Sequence, residues 1–299
     1  MPHRPSAFDP QSVRPQFPSL SREVSGRAAI FADGPGGTQT PQAVTSAMTA
    51  YLQRSNANLG GVFATSLETG EVVARGRRAA AAFLNAPSAE TIVFGQNMTS
   101  LAFAMSRAIA RTWAPGDEVV VTALDHDANV APWMLAAEDR GATVRTVPFD
   151  PRECTLSVKT FGEALSARTR LVAIGMASNA VGSIVDIAPL IAAAHRVGAL
   201  VFVDAVHYAP HRALDVRALD CDFLACSAYK FCGPHLGLLY AKAEHLASLS
   251  AYKVRPSSAV APGKWETGTQ NFEAIAGLTA CLGYLGAIGL EAPGQQADP

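Results

Sequence analysis

The chain has 299 residues, of which 49% are apolar and 16% charged, enough for one large domain or two modest ones around a substantial core. Its 24 Lys and Arg residues against 25 Asp and Glu leave a formal net charge of −1, with no basic cluster anywhere along the sequence. That balance excludes an electrostatic footprint for nucleic acid or an anionic membrane and points to small-molecule chemistry.

Five cysteines, Cys154, Cys221, Cys226, Cys232 and Cys281, form no CxxC pair. Their odd number argues against a complete disulfide framework, and they read as reduced thiols in a cytoplasmic protein. The opening MPHRPSAFDPQSVRPQFPSLS lacks an apolar signal-peptide core, and no run of eighteen uninterrupted apolar residues follows. Neither secretion nor membrane insertion is expected.

Residues 1–28 are rich in Pro, Ser and Arg without a sustained period and read as an N-terminal arm. The loop Asp33-Gly34-Pro35-Gly36-Gly37-Thr38 lacks the Gly-Lys-Ser/Thr of a P-loop, so a turn near a ligand is favoured over a phosphate cradle. Thr40-Pro41 predicts a helix to about residue 53, and an Ala-rich stretch predicts another over 67–84. A strand over 91–94 then leads through Gly95-Gln96-Asn97-Met98-Thr99-Ser100 into a helix over 101–112. Such a turn is either an anion site or an ordinary capped helix, and local sequence does not separate the two.

The strand 118–122 ends in Leu124-Asp125-His126-Asp127-Ala128-Asn129; a lone His is more often structural or exposed, but the place of His126 at a carboxyl edge among polar groups permits it to cover a flat ligand ring. A helix over 130–140, a strand over 143–148, a hairpin-like stretch at 150–159 and a helix over 161–167 follow. The strand 170–176 ends in Ser178-Asn179, a helix spans 187–197, and the strand 200–203 ends in Asp204. Alternating strands and helices without a sequence repeat predict an α/β protein with a largely parallel sheet.

Two side chains stand out in the stretch 200–240. Of the five lysines, Lys159, Lys230, Lys242, Lys253 and Lys264, only Lys230 sits between an apolar strand and a Gly-Pro turn, beside Ser227 and Tyr229. It is the best candidate for a desolvated amine able to form a Schiff base. Asp204 follows Leu-Val-Phe-Val, where a carboxylate is costly unless paired, and a protonated pyridine nitrogen is such a partner. Together they are what a pyridoxal phosphate enzyme needs.

With these residues in place, the sequence resembles the class V aminotransferases of pyridoxal phosphate fold type I, and among them the cysteine desulfurase-like proteins. The resemblance is carried by Gly95-Gln96-Asn97-Met98-Thr99, Asp125-His126-Asp127-Ala128-Asn129, Ser178-Asn179, Asp204-Ala205-Val206-His207, Ser227-Ala228-Tyr229-Lys230 and Glu266-Thr267-Gly268-Thr269-Gln270-Asn271. It implies a three-layer α/β/α fold with a mostly parallel sheet, pyridoxal 5'-phosphate as cofactor, and an amino acid such as cysteine as substrate. Lys230 would form the Schiff base and move a proton, Asp204 would pair with the pyridine nitrogen, and His126 would stack on the ring. Asn179 and His207 would lie near the phenolic oxygen, with Asn97, Met98, Ser227 and Tyr229 around the phosphate. Thr269 would reach a phosphate in the neighbouring subunit, which implies a homodimer.

Three positions depart from the desulfurase pattern: His207 stands where Gln is common, Tyr229 where His is common, and Met98 in place of a Thr-Glu type turn. The resemblance assigns 29–285 to a large cofactor-binding domain and 286–299 to an irregular tail, with the usual C-terminal small domain absent. No cysteine matches a sulfur-accepting loop, no residue indicates a sulfur-acceptor protein, and no metal site is expected. Transamination, epimerisation or another lyase reaction of the same family remains an alternative, as does a non-catalytic cofactor-binding or dimerisation protein.

Overall fold

A computed structural model of the chain describes residues 9–291. These residues fall into two compact units, a helical unit of residues 9–80, 228–236 and 271–291 and a sheet unit of residues 81–227 and 237–270.

The sheet unit is built on seven strands: β1 Ile92–Gly95, β2 Glu118–Thr122, β3 Thr143–Val147, β4 Thr169–Gly175, β5 Leu200–Asp204, β6 Phe223–Ser227 and β7 Gly237–Ala241. Their order is β1-β7-β6-β5-β4-β2-β3. β7 runs antiparallel to both its neighbours and every other pairing is parallel, so the other six strands share one direction and end at one edge. The strands read as nearly unbroken apolar runs because a largely parallel sheet is covered on both faces.

Within the helical unit lie α1 Gln42–Arg54 and the start of α2 Ala64–Leu84. The sheet unit carries α3 Met98–Ala110, α4 Ala131–Arg140, α5 Val158–Ala164, α6 Ala188–Arg196 and α7 Ala243–Ser248, and α8 Phe272–Glu291 returns to the helical unit. One face of the sheet packs on α3, α4 and α7 in a single buried cluster. At its centre the Trp133 and Phe202 rings meet edge to face with centroids 5.0 Å apart. The opposite face receives the buried Leu190, Ile191 and Ala194 of α6. This is the layered α/β arrangement that the strand and helix order predicts.

The β2 strand has the predicted bounds, while three helices, α2, α3 and α5, begin three residues earlier than the sequence suggests. Side-chain caps explain the last two. Asn97 and Ser100 form a reciprocal capping box that starts α3 at Met98, and Ser157 accepts from the Thr160 amide to start α5 at Val158. Residues 9–28 carry only one-turn helical pieces and a two-residue antiparallel pairing, Glu23–Val24 with Arg27–Ala28.

The expected irregular tail at 286–299 is corrected in its first part, because α8 continues through Glu291. Gly286 and Gly289 lower helix propensity. The apolar period that buries Ile275, Leu278 and Leu282 nevertheless carries the helix past them. Residues 292–299 lie outside the described residues. By length and composition alone α8 could cross a bilayer, with a mean hydropathy of 1.4 over Phe272–Gly289. Here it packs along α1, where Gly277 leaves room for the Met48 side chain and the Tyr51 and Phe272 rings lie 6.3 Å apart.

At the edge of the sheet opposite the carboxyl ends, Asp222 ties three elements together. Its Oδ2 accepts from the Val201 amide at 2.8 Å and meets His195 Nε2 at 2.9 Å, while Oδ1 meets His245 Nε2 at 2.9 Å. Burial by itself would raise this carboxyl, but the bonds from His245, His195 and Val201 outweigh it and hold the group well below the usual carboxylate range. A carboxyl depressed in the folded state contributes stability that is present above its unfolded value near 3.9 and is lost on acidification. Asp222→Ala should cost about 2–4 kcal/mol in urea denaturation at pH 7, toward the low end for a broken buried pair because both histidines are partly exposed. The loss of stability below pH about 4 should be shallower in the variant than in the parent protein.

Candidate active site

Because six strands end together, the polar residues that follow them gather at one edge of the sheet unit, the position that binds ligands in open α/β sheets. After β1 the chain turns at Gly95-Gln96-Asn97 and enters α3. The Asn97 side chain accepts from the Ser100 amide at 2.8 Å, and the Met98 amide donates to Ser227 Oγ at 2.9 Å. Ser227, the last residue of β6, is therefore fastened to the positive end of α3, where backbone amides and the helix dipole favour an anion. The close approach depends on Gly237. A Cβ there would lie 2.5 Å from the Asn97 carbonyl carbon, inside any permitted contact.

His126 follows β2 on an exposed turn, and its Nδ1 accepts from the Ala128 amide at 3.0 Å, leaving Nε2 as the outward nitrogen. Asn179 follows β4 in a tight turn in which Ser178 exchanges backbone bonds with Gly182 and Ser183. Asp204 closes β5 at 8% exposure, with Oδ1 accepting from the Val206 amide at 2.8 Å. His207 is half-buried and meets His211 edge to face at 5.5 Å. Thr269 lies in the exposed loop 267–269, next to Gly268 at φ +74°.

Several residues that the sequence reading left without a role also occupy this edge. The Asp125 carboxyl takes bonds from Thr122 Oγ1 and from Asn129 Nδ2, the latter at 2.8 Å, and the Trp133 indole N–H donates to Asn129 Oδ1 at 3.3 Å. Glu266 is buried, and its Oε1 accepts from the Phe94 amide in β1 at 2.8 Å. The four-residue spacing of Asp125 and Asn129 was visible in the sequence. Nothing local tied Glu266 to a strand 172 positions earlier.

Lys230 and Tyr229 belong to the helical unit, in the segment 228–236. Lys230 is 9% exposed, and its Nζ donates to the Pro35 carbonyl while standing 4.8 Å over the Tyr229 ring. The glycine-rich loop thus packs on the lysine segment. The Thr38 amide and hydroxyl both donate to the Tyr229 carbonyl, at 3.0 and 2.9 Å, and the Cys232 amide donates to Thr38 Oγ1 at 2.6 Å. Tyr229 stacks on His235 with centroids 5.0 Å apart. Beside them opens a cleft of about 770 Å³, lined in part by Phe31, Thr38, Met48, Tyr229, Cys232 and His235. Burial pushes the Cys232 thiol up, which disfavours it as a nucleophile.

The other buried lysine among the described residues, Lys264, has a structural task. Its Nζ donates to the carbonyls of Ala247 and Leu249 at 2.7 and 2.9 Å and so caps the end of α7.

A layered, largely parallel sheet whose parallel strands end at one edge is the architecture of the pyridoxal phosphate-dependent enzymes of fold type I. The family description "Aminotransferase class-V" matches residues 30–298, and the chain belongs to that family as a cysteine desulfurase-like member. It is 35% identical to a cysteine desulfurase of Enterobacter sp. (strain 638), over 96% of this chain and 74% of that protein. The cysteine desulfurase CsdA of Escherichia coli superposes with a TM-score of 0.84 at 31% identity, over 93% of this chain and 72% of that one. A C-DES variant with glycine covalently linked to its pyridoxal phosphate cofactor shares the fold at a TM-score of 0.80 and 24% identity, over 92% of this chain and 74% of that one.

Gly237→Ala should force the Asn97 turn away from β7. The expected cost is about 1–3 kcal/mol, as for other overpacked sites, read as a lower urea midpoint at unchanged slope.

Proposed function

We propose that the chain is a pyridoxal 5'-phosphate enzyme that removes sulfur from an amino acid such as cysteine, with Lys230 as the amine that carries the cofactor. The observation that supports this most is the burial of the Lys230 amine, at 9% exposure and aimed at the Pro35 carbonyl, while the other buried lysine is spent on a helix end.

The donor set fits such a cofactor. A buried carboxylate, Asp204, suits a ring nitrogen that must stay positive. The Met98 amide, Ser227 hydroxyl and capped start of α3 suit a phosphate. When bound, the cofactor supplies an electron-withdrawing ring that stabilises negative charge at the substrate Cα. The protein's part is to hold and move protons around that atom. Asp204 would pair with the ring nitrogen, and His126, its ring turned by the Ala128 bond, would lie against the ring. Asn97 would position the phosphate turn, and Tyr229 would add a hydroxyl to the phosphate set. Asn179 and His207 would serve the ring oxygen. Lys230 would be the group that takes the substrate Cα proton and gives it to the product.

The reading extends to a cytoplasmic homodimer in which Thr269 serves the phosphate of a second copy. Its support is the exposure of Thr269 and of apolar side chains such as Val62 and Phe63, which are 87% and 75% exposed. Sedimentation at micromolar concentration should return twice the mass of one chain.

Purified protein given pyridoxal phosphate should develop the visible band of a lysine-bound cofactor and release sulfide or persulfide from cysteine. Lys230→Ala should fold normally, lack the band and lose activity by at least about 10³-fold. Identical spectra for the two proteins would overturn the assignment. Keto acid accumulating with aminated cofactor would make the reaction a transamination, and a band without turnover of any amino acid would make the protein a cofactor-binding module.

A further inference from the structure

The role given to Asp204 leaves unused a second carboxyl at the same edge of the sheet. Asp125 is half-buried as a residue, but its carboxyl is the enclosed end, held by Thr122 from β2 and by Asn129 at the start of α4. It reaches over Gly175, the last residue of β4. A Cβ at Gly175 would lie 2.8 Å from Asp125 Oδ1, so only glycine leaves the carboxyl its place. Gly175 is also the register partner of Asp204 on β5. The missing side chain on β4 thus opens the space across which two carboxyls face one another.

Burial, the largest influence, and the charge on Asp204 together outweigh the bonds from Asn129, Thr122 and the Gly175 backbone and push the Asp125 carboxyl up to about 7. The other titratable groups on the elements beside the pair include Cys226 on β6, His126 after β2 and His207 after β5. Cys226 on β6 is a thiol pushed up by burial and by Asp204, hence neutral, and His126 turns its Nδ1 to its own backbone.

We propose that Asp125 is a positioning residue for Asp204: the two carboxyls act as a pair that retains one proton, Asp125 carries it, and Asp204 keeps the negative charge. This rests on the reading of Asp204 as the partner of a cationic ring nitrogen. It adds a reason for Gly175 and for the Thr122, Asn129 and Trp133 chain of bonds, which hold the second carboxyl at a fixed place while it exchanges its proton. Two carboxyls so placed titrate in steps that belong to the pair.

The test uses the cofactor-free protein first. A carboxyl raised in the folded state binds its proton more tightly than in the unfolded chain, so its contribution is fully present below pH about 4 and is lost as pH rises toward 7. The melting temperature of Asp125→Asn, measured against the parent protein, should therefore gain several degrees between pH 5 and pH 8, whereas Asp125→Glu should keep the parent's slope with a moved midpoint. Infrared spectra of the parent protein should show a protonated carboxyl band that fades near neutral pH, which needs no variant to fold. Parallel melting profiles for Asp125→Asn and the parent protein, or no such band, would overturn the proposal.

The visible band of added pyridoxal phosphate is then followed against pH. The parent protein should show a spectral step near neutral pH that Asp125→Asn loses and Asp125→Glu restores. A band with no such step defeats this proposal alone. Failure of the parent protein to form the band defeats instead the reading of Lys230 and Asp204 as cofactor ligands.

Discussion

Six of the seven strands in the sheet unit run the same way, and the antiparallel β7 is threaded between β1 and β6 without disturbing that direction. Each parallel strand must be followed by a crossover on one face or the other, so every loop that leaves a carboxyl end starts from the same edge. Asn97, His126, Asn179, Asp204 and Ser227 come from five different strands and as many regions of sequence. They gather at one edge because the backbone hydrogen-bonding pattern leaves their loops no other edge from which to depart.

Glycine sets the spacing at two points of that edge. At Gly237 the reversed strand passes so near the Asn97 turn that no side chain fits, and the Met98 amide can then reach Ser227. At Gly175 the same absence admits a carboxyl instead of a backbone segment. Both positions trade the packing a side chain would have contributed for a polar contact that the sheet could not otherwise make. The opposite edge shows the contrasting solution, where Asp222 is fully surrounded by donors and acts as a structural tie. Buried acids at the two ends of the same sheet thus have different chemistry. Asp222 is held charged by two histidines and an amide, whereas Asp125 faces another acid.

The two buried lysines give a similar contrast. Both are removed from water and both donate to backbone carbonyls. Lys264 satisfies the end of a helix that would otherwise leave its carbonyls unpaired, and its position is explained by that alone. Lys230 meets a single carbonyl in a glycine-rich loop whose own backbone is organised around Tyr229 through Thr38. The loop that reads in isolation as a turn near a ligand, and lacks a P-loop's lysine, proves to be the support of the lysine segment.

Most of the strands and the placement of Asp204 and Lys230 were legible in the sequence. Apolar runs of five to seven residues cannot hide their period, and a charged residue closing such a run is conspicuous because burying it is costly. Helix starts were less legible. The caps at Asn97 and Ser157 are polar residues whose effect depends on a bond to the third amide beyond, and the apolar pattern begins only afterwards. The continuation of α8 past Gly286 was hidden for the opposite reason, since local propensity argued for a stop while packing along α1 carried the helix on. The sequence by itself determined which strands exist, that the sheet is largely parallel and which reactive side chains close its strands, because these follow from the apolar runs, the strand and helix order and the cost of burial. Only the tertiary structure decided that Asp125 looks across Gly175 toward Asp204, that Glu266 anchors β1, and that Pro35 meets Lys230. Those relations join residues far apart in the chain, and they are set by strand register and close backbone approach, which no local pattern encodes.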